Sequence, residues 1–132
     1  MNIRPTEATL IVHFSCAEVD RVDEVESGIL VAYDRHQRIV DVTARARAGI
    51  SRVDLVGVNA EAVPARVTYD ASVDALYIDA NSADIRNTEE VFPGFIVDFD
   101  ADGFVRGLEF LNASDFFSDQ TMSDIRERAT LL

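Results

Sequence analysis

The residues with the clearest potential for chemistry are four carboxylates in the segment 98–109. Asp98, Asp100 and Asp102 are spaced two apart, Gly103 follows them, and Glu109 ends the segment. These are positions 1, 3, 5, 6 and 12 of an EF-hand calcium loop, in which oxygen atoms surround the ion and the glycine permits a sharp turn. The spacing by itself therefore predicts a site for a divalent cation.

The residues around this segment favour a different structure. An EF-hand loop lies between two helices. Here Pro93 and Gly94 come shortly before the loop, and the branched and aromatic residues after them disfavour a helix as well. We therefore predict a β-hairpin with strands at 95–100 and 104–111, and with Gly103 at the left-handed position of its turn.

The hairpin limits what the four carboxylates can do together. Asp98 and Asp100 share one face of a strand, whereas Glu109 lies far along the next strand. Four groups placed in this way cannot surround one ion as an EF-hand does. A weak cation site formed by Asp100 and Asp102 at the turn remains as an alternative.

A second hypothesis is a carboxylate cluster of Asp70, Asp74, Asp98 and Glu109. Two carboxylates can act as acid and base if their surroundings separate their pKa values. The structural alternative is that Asp70 and Asp74 stabilise a turn and that Asp98 faces Arg106 across the hairpin. That pairing requires a one-residue glycine bulge, since a four-residue loop would set the residue before Asp98 there instead.

Other catalytic chemistry has little support in the sequence. Nucleophilic catalysis needs a base beside its nucleophile, and the histidines are His13 and His36 alone. Cys16 is expected to be a small buried or half-buried side chain rather than a thiolate. No phosphate-binding loop, paired metal-ligand motif or dinucleotide motif is present, so we expect no cofactor and treat catalysis as the weaker hypothesis.

The chain resembles itself at an offset of 66 residues, half its length of 132. Residues 1–48 align with 67–114 without a gap, and apolar positions match where identity fails. We therefore predict an α+β fold of two tandem β-rich repeats, 1–66 and 67–132, that cover each other's apolar faces in one pseudo-two-fold domain. The identical pairs are Leu10/Leu76, Ala17/Ala83, Glu24/Glu90, Val25/Val91, Gly28/Gly94, Val31/Val97 and Asp34/Asp100.

Hydrophobic periodicity predicts the elements of the second repeat as β-β-β-β-α. Alternating residues indicate strands at 65–70, 75–80, 95–100 and 104–111, with a loop at 81–94. The segment 118–132 has helical periodicity, with Ser118 as its cap. The apolar stripe of this helix consists of Met122, Ile125, Ala129 and Leu132.

The first repeat is less regular. Strands are predicted at 10–14, 28–34 and 38–46, and a strand before these is doubtful because Pro5 interrupts it. The segment 50–58 has capping-box spacing and is predicted as a short helix, although its valines favour a strand. Residues 60–66 join the two repeats.

The second half also resembles a known bacterial family, domain of unknown function 2283. The resemblance covers about 48 residues and rests on a tyrosine–aspartate pair, an Asp-Ala-Leu-Tyr segment, the acidic hairpin and a Gly-x-Glu ending. These features are Tyr69-Asp70, Asp74-Ala75-Leu76-Tyr77, Asp98 to Gly103, and Gly107 with Glu109. The resemblance implies a compact β-rich domain and no reaction. Its motifs and the acidic hairpin give the candidate binding residues Tyr69, Asp70, Asp74, Asp98, Asp100, Asp102 and Glu109.

The net charge of the chain indicates which classes of partner it can bind. Twelve basic residues, all arginine, against 24 acidic ones give a formal charge of −12, which argues against binding to nucleic acid or to an anionic membrane. Residues 1–66 carry eight arginines and ten acids (−2), and residues 67–132 carry four and fourteen (−10). We expect a non-catalytic module that binds a basic protein partner. Solubility alone is the plainer reason for the acids.

Location and assembly follow from weaker signals. No apolar run in the sequence approaches the length of a membrane span, and the first residues lack the pattern of a secretory leader. We therefore expect a cytoplasmic protein. Self-association into a homo-oligomer is the other interaction that the sequence leaves open.

Overall fold

The first of two sheets is formed by the first half of the chain. The computed structural model describes residues 8–26, 28–46, 51–54, 66–80 and 83–131. The sheet has the strand order β2-β3-β4-β1-β5, in which the first four strands are antiparallel and β5 runs parallel to β1. Its strands are β1 (Ala8–His13), β2 (Arg21–Glu26), β3 (Ile29–Tyr33), β4 (Ile39–Ala46) and β5 (Ser51–Asp54).

The second sheet follows in the chain and carries the helices. Its order is β11-β6-β7-β10-β9-β8, with β11 parallel to β6 and all other pairs antiparallel. Its strands are β6 (Arg66–Asp70), β7 (Ala75–Asp79), β8 (Asn87–Phe92), β9 (Phe95–Phe99), β10 (Val105–Leu111) and β11 (Thr130–Leu131). A 3-10 helix (Ala113–Asp115) and α1 (Asp119–Arg128) lie between β10 and β11. The fold is therefore α+β.

The inner faces of the two sheets pack against each other around a group of phenylalanines. Phe14, just after β1, stacks on Phe117 with ring centroids 4.3 Å apart and meets Phe110 of β10 edge-on at 5.7 Å. Phe110 also stacks on Phe95 at 4.7 Å. Aliphatic side chains of both sheets complete one core: Leu10, Val12, Ile29, Val31, Val42, Leu76, Ile78, Val97 and Leu108.

The C-terminal helix closes one end of this core. The Ser118 hydroxyl accepts a hydrogen bond from the backbone N–H of Thr121 at 3.2 Å, which confirms Ser118 as the cap. The Thr121 hydroxyl donates to the carbonyl of Phe14 at 3.1 Å and so ties α1 to the first sheet. Met122 and Ile125 are buried, as the helical periodicity predicts.

The strands of the two sheets correspond at the 66-residue offset. Adding 66 to the residue numbers of β2 and β3 gives the ranges of β8 and β9. The same shift places β1 and β4 on β7 and β10 to within one residue at each end. The order β2-β3-β4-β1 likewise becomes β8-β9-β10-β7. Backbone detail matches too, because Gly28 and Gly94 both have positive φ, at 82° and 87°.

Two sequence predictions about secondary structure are wrong. Residues 81–94 are predicted as a loop, but β8 occupies 87–92 and pairs with β9. Its first four residues are exposed, so this edge strand shows no apolar alternation that could reveal it. The short helix predicted at 50–58 is wrong at 51–54, where β5 pairs with β1 because the open edge of that strand offers backbone partners.

Three further expectations need correction, and three others lie outside the described residues. The segment predicted as the second repeat has five strands before α1, not four, and α1 ends at Arg128 before the short strand β11. Cys16 is exposed, not buried, because β1 ends before it. The Pro5 region, the join at 60–65 and the stripe residue Leu132 are outside the described residues.

None of the helices in the described ranges has the length and apolar character that crossing a membrane requires.

Candidate binding face of the second sheet

The outward positions of the central strands bring together the polar residues of the second sheet. Leu108 of β10 faces the core, so Glu109 faces outward, where it lies opposite Tyr77 of β7 and Ile96 of β9. Two positions earlier, Gly107 lies between β7 and Asp98 of β9. We call the outward side chains Tyr77, Thr88, Asp98 and Glu109, with Gly107 between them, the polar face.

A hydrogen-bond network spans three strands of the polar face. The Tyr77 hydroxyl donates to Asp98 Oδ2, and the Thr88 hydroxyl donates to Asp98 Oδ1 at 2.7 Å. Tyr77 reaches β9 by crossing Gly107, where an added Cβ would lie 3.2 Å from the Tyr77 hydroxyl oxygen and 3.3 Å from the carbonyl oxygen of Ile78. The missing side chain of Gly107 therefore makes room for the network.

The network fixes an acidic group that is almost withdrawn from water. Asp98 is only 7% exposed, and both of its carboxylate oxygens accept hydrogen bonds. Burial, followed by the hydrogen bond to Asp98 and the charge of that carboxylate, raises the pKa of Tyr77 well above its usual range. Tyr77 therefore stays a donor at neutral pH and holds the Asp98 carboxyl group in one orientation.

Glu109 is the second carboxylate of the polar face. Burial and, next, the negative charge of Asp98 raise the pKa of Glu109 above its ordinary value of 4.5. Within the described ranges no side chain donates a hydrogen bond to it. Two neighbouring carboxylates, of which one lacks a donor, are an arrangement that a cation would stabilise.

An internal ion pair lies beside the polar face. Arg106 donates from Nη1 to Asp79 and from Nε to the carbonyl oxygen of Ala83 at 2.8 Å. The predicted pairing of Asp98 with Arg106 is therefore wrong. Arg106 is itself the extra residue of a β-bulge, so Asp98 lies opposite Gly107 and the guanidinium turns toward β7.

The other predicted site residues lie apart from the polar face. Tyr69 is 1% exposed, and its hydroxyl donates to Asp74 Oδ1 at 2.5 Å. Asp74 Oδ2 accepts from the backbone N–H and the hydroxyl of Ser114, so this cluster ties the β6–β7 turn to the 3-10 helix. Asp70 accepts from the backbone and hydroxyl of Ser72 in the same turn. Both aspartates therefore stabilise a turn.

Hydrogen bonding in this turn shifts two pKa values in opposite directions. Burial opposes ionisation of Asp74, but the hydrogen bonds from Ser114 and Tyr69 outweigh it and lower the pKa of Asp74 below 3.8. Burial, together with the hydrogen bond to Asp74, raises the pKa of Tyr69. These shifts indicate a structural carboxylate rather than an acid poised for proton transfer.

In the acidic hairpin turn, the carboxylate of Asp100 is hydrogen-bonded to backbone N–H groups of the turn itself. The hairpin predicted at 95–111 is confirmed, and Gly103 has a φ of 82°. Asp100 is 4% exposed, and its Oδ1 accepts from the backbone N–H groups of Asp102 and Phe104 at 2.9 and 3.1 Å. Among the described residues no group of three or more His, Cys, Asp or Glu is placed to hold a metal ion.

Sequence reasoning found the two carboxylates of the polar face but missed what positions them. Tyr77 enters only through the family motif, and Thr88 lies in the segment predicted as a loop. Alternation in β7 does place Tyr77 outward, between the buried Leu76 and Ile78. Its contact with Asp98, however, depends on the register of three strands, which no single segment encodes.

Comparison with known proteins agrees with the family resemblance. No curated protein and no solved structure matches the chain. A family model does match residues 66–114, the part of the chain that contains the whole polar face. The second half thus matches the family described as "Protein of unknown function (DUF2283)", over residues 66–114.

Proposed function

We propose that the protein is a non-catalytic binding module that takes a cationic side chain of a basic protein partner on the polar face. The observation that carries this proposal is the pair Asp98 and Glu109, two neighbouring carboxylates on the outward side of the second sheet. Asp98 is already oriented by Tyr77 and Thr88. A bound cation therefore meets a preorganised anion, which lowers the entropic cost of binding.

The charge of the chain supports this class of partner. Residues 67–132 carry a formal charge of −10, so the field around the second half attracts basic surfaces and speeds their approach. The same field disfavours nucleic acid and anionic membranes. Arginine suits the face best, since its planar guanidinium can contact two carboxylates at once.

One observation favours a second candidate, a carboxylate-based enzyme. Neighbouring carboxylates with a raised pKa on one of them are typical of acid–base pairs, and Glu109 beside Asp98 has this feature. The pair lies on an open sheet face, and both Asp98 oxygens are occupied by donors. Binding of a cation needs only the two carboxylates, whereas catalysis would also need groups that bind and position a substrate.

A divalent cation at the hairpin turn is the weaker alternative. Asp100 Oδ1 already accepts the two backbone hydrogen bonds that hold the turn. A calcium ion at Asp100 would have to compete with those donors. Calcium therefore serves as a comparison ligand in the experiment below.

We also propose that the chain arose by duplication and forms one pseudo-two-fold domain. The coincidence of strand ranges and sheet order at the 66-residue offset supports this origin. So does the contact of β2 with β8 and of β4 with β10, because elements near a two-fold axis contact their own copies. A bacterial source and a cytoplasmic location stay predictions.

The binding proposal is tested by NMR titration with short peptides of equal length, one rich in arginine and one in aspartate. We expect the arginine-rich peptide, but not the aspartate-rich one, to shift the signals of Tyr77 and Glu109. Glu109→Gln should weaken its binding about tenfold, the equivalent of about 1.4 kcal/mol. Asp102→Asn removes the same charge from the exposed turn and should change the affinity less than about twofold.

Other outcomes assign the face differently. Equal weakening by the two variants would mean that the arginine peptide responds to net charge alone and that the carboxylates serve solubility. Saturation by calcium, lost in Asp100→Ala, would replace the proposal with a cation site at the turn.

A further inference from the structure

The outer face of the first sheet carries four apolar side chains, three of them at positions that are polar in the second sheet. Val22 of β2 lies opposite Ala32 of β3, and Leu30 of β3 lies opposite Thr43 of β4, which in turn lies opposite Ile11 of β1. Val22 is 55% exposed and Leu30 is 40% exposed. We call Ile11, Val22, Leu30 and Ala32 the apolar face.

The equivalent positions show that an outward sheet face in this fold can be made polar. Ile11, Val22 and Ala32 correspond at the 66-residue offset to Tyr77, Thr88 and Asp98, which form the hydrogen-bond network of the second sheet. Leu30 corresponds to Ile96, so the difference rests on the other three positions. Val22 and Leu30 are the exposed members of the face, Ile11 is half-buried and Ala32 is buried. Neighbouring exposed apolar side chains mark contact surfaces.

We propose that the apolar face is where a second copy of this chain docks, sheet against sheet. Three titratable side chains that the structure describes on the same side of the sheet already have partners, which lowers the cost of removing water from them. His13 bonds to Asp41, and Glu24 accepts a hydrogen bond from the backbone N–H of Gly28 at 3.2 Å.

The distribution of charge favours a second copy over other occupants. The first half, with eight arginines and ten acids, is nearly balanced, so two first halves can approach each other with little repulsion. Docking through these faces leaves the −10 halves on the far sides of a four-sheet stack. Three sheet spacings separate them by about 30 Å, well beyond the screening length of about 8 Å at physiological salt. A basic partner is drawn to the second half, and an acidic one is repelled.

The size of the face sets the strength of the contact. Four strands about 4.8 Å apart, each contributing four or five residues of about 3.3 Å, cover roughly 300 Å² per protomer. The total of roughly 600 Å² is below the 1,200–2,000 Å² or so of stable complexes. The dimer is therefore weak and forms in proportion to protein concentration.

Sedimentation equilibrium between about 10 µM and about 1 mM tests the proposal, because weak contacts have dissociation constants in that range. We expect the average mass to rise with concentration from 14.6 kDa toward twice that value. The rise should be present already at physiological salt, because the −10 halves lie farther apart in the dimer than the screening length. The double variant Val22→Thr/Leu30→Thr should raise the dissociation constant at least about tenfold, while Ile85→Thr, an exposed apolar position of the second half, should leave it within about twofold.

Other results overturn the proposal. A wild-type chain that stays monomeric up to about 1 mM would exclude the second copy, and equal loss in Ile85→Thr would place self-association on another surface. Methyl NMR of the wild type decides the matter if the double variant does not fold, since only docking on this face makes the Val22 and Leu30 shifts depend on concentration. Dimerisation and arginine-peptide binding use opposite faces, so either can fail without the other.

Discussion

The outward faces of the two sheets occupy equivalent positions but differ in what they present to water. In the second sheet Tyr77, Asp98 and Glu109 form a polar face, and in the first sheet Ile11, Ala32 and Thr43 take their places. Four strands of each sheet have corresponding ranges and the same order at the 66-residue offset, but their outward side chains differ. An outward side chain in an antiparallel sheet does not define the inner core, so this surface can change without changing the fold.

The hairpin turns, by contrast, have the same side-chain hydrogen bonds in both halves. Asp34 and Asp100 each accept, through Oδ1, hydrogen bonds from the backbone N–H groups two and four residues later. Glu24 bonds to the N–H of Gly28 as Glu90 does to that of Gly94. These side chains satisfy backbone donors that would otherwise be unpaired, so their loss affects the strand register directly.

The largest loss of stability is expected from a substitution in the core, where the two halves carry side chains of different size. Phe110 contacts four other phenylalanine rings, whereas the equivalent residue of the first sheet is Ala44. Phe110→Ala should reduce the free energy of unfolding by about 3–5 kcal/mol through the cavity that it leaves. Urea unfolding, followed by circular dichroism and by tyrosine fluorescence, measures the loss.

The control for this substitution lies in the other sheet. Val42→Ala removes a smaller buried side chain and should cost roughly 2–3 kcal/mol with the same cooperative transition. Because both sheets share one core, hydrogen exchange should show Phe110→Ala weakening the amides of β1 as well as those of β10. Protection of β1 that stays at the wild-type level would mean that the halves unfold separately.

The sequence predicts elements whose signal is local. The hairpin around Gly103 and the cap at Ser118 each depend on a few adjacent residues, and both are present. The strand β8 was missed because its exposed residues lack periodicity. The partner of Asp98 was missed because one bulged residue, Arg106, decides which side chains face each other across the sheet.

A second substitution tests the hydrogen-bond network that distinguishes the polar face from the outer face of the first sheet. Gly107→Ala places a Cβ 3.2 Å from the Tyr77 hydroxyl oxygen and should displace it from Asp98. We expect a loss of about 2 kcal/mol, typical of a hydrogen bond to a charged group. NMR titration should show the Tyr77 pKa falling toward its usual range, since Asp98 contributes to raising it.

Gly103→Ala is the matched control for Gly107→Ala. Gly103 has a φ of 82° and open space around its Cα, so alanine there costs about 1 kcal/mol through backbone strain alone. The Tyr77 titration should not move in this variant. A Tyr77 titration that is also unchanged in Gly107→Ala would show that the glycine is not what admits the tyrosine.

Asp74, which holds the turn between β6 and β7, corresponds to Ala8 at the 66-residue offset, so the first half lacks this carboxylate. The folded-state pKa of Asp74 is depressed below 3.8, so its contribution to stability is fully present above the unfolded value. It is lost as the pH falls through the folded value. Asp74→Asn should cost about 1–2 kcal/mol at pH 7, and the difference from wild type should shrink in acid.

Thermal unfolding from neutral pH down to strongly acidic pH measures the Asp74 effect. Asp70→Asn removes a charge from the same turn without touching the bonds to Tyr69 and Ser114, and we expect a smaller cost for it. A difference between wild type and Asp74→Asn that is constant across the whole pH range would show that the carboxylate charge is not what stabilises the turn.

The smallest expected effect has the opposite sign and sharpens the contrast between the outward faces. The folded-state pKa of Glu109 lies above 4.5, so between the unfolded and folded values the native state binds more protons, and stability falls as the pH rises. Glu109→Gln should therefore stabilise the protein at pH 7, by at most about 1 kcal/mol. The gain should vanish below the unfolded value, where wild type is protonated too. Asp102→Asn, an exposed turn residue, should show no comparable gain. A destabilising Glu109→Gln would mean that the carboxylate has a favourable partner in the folded state, and the polar face would then not be the open anionic site that a cationic side chain requires.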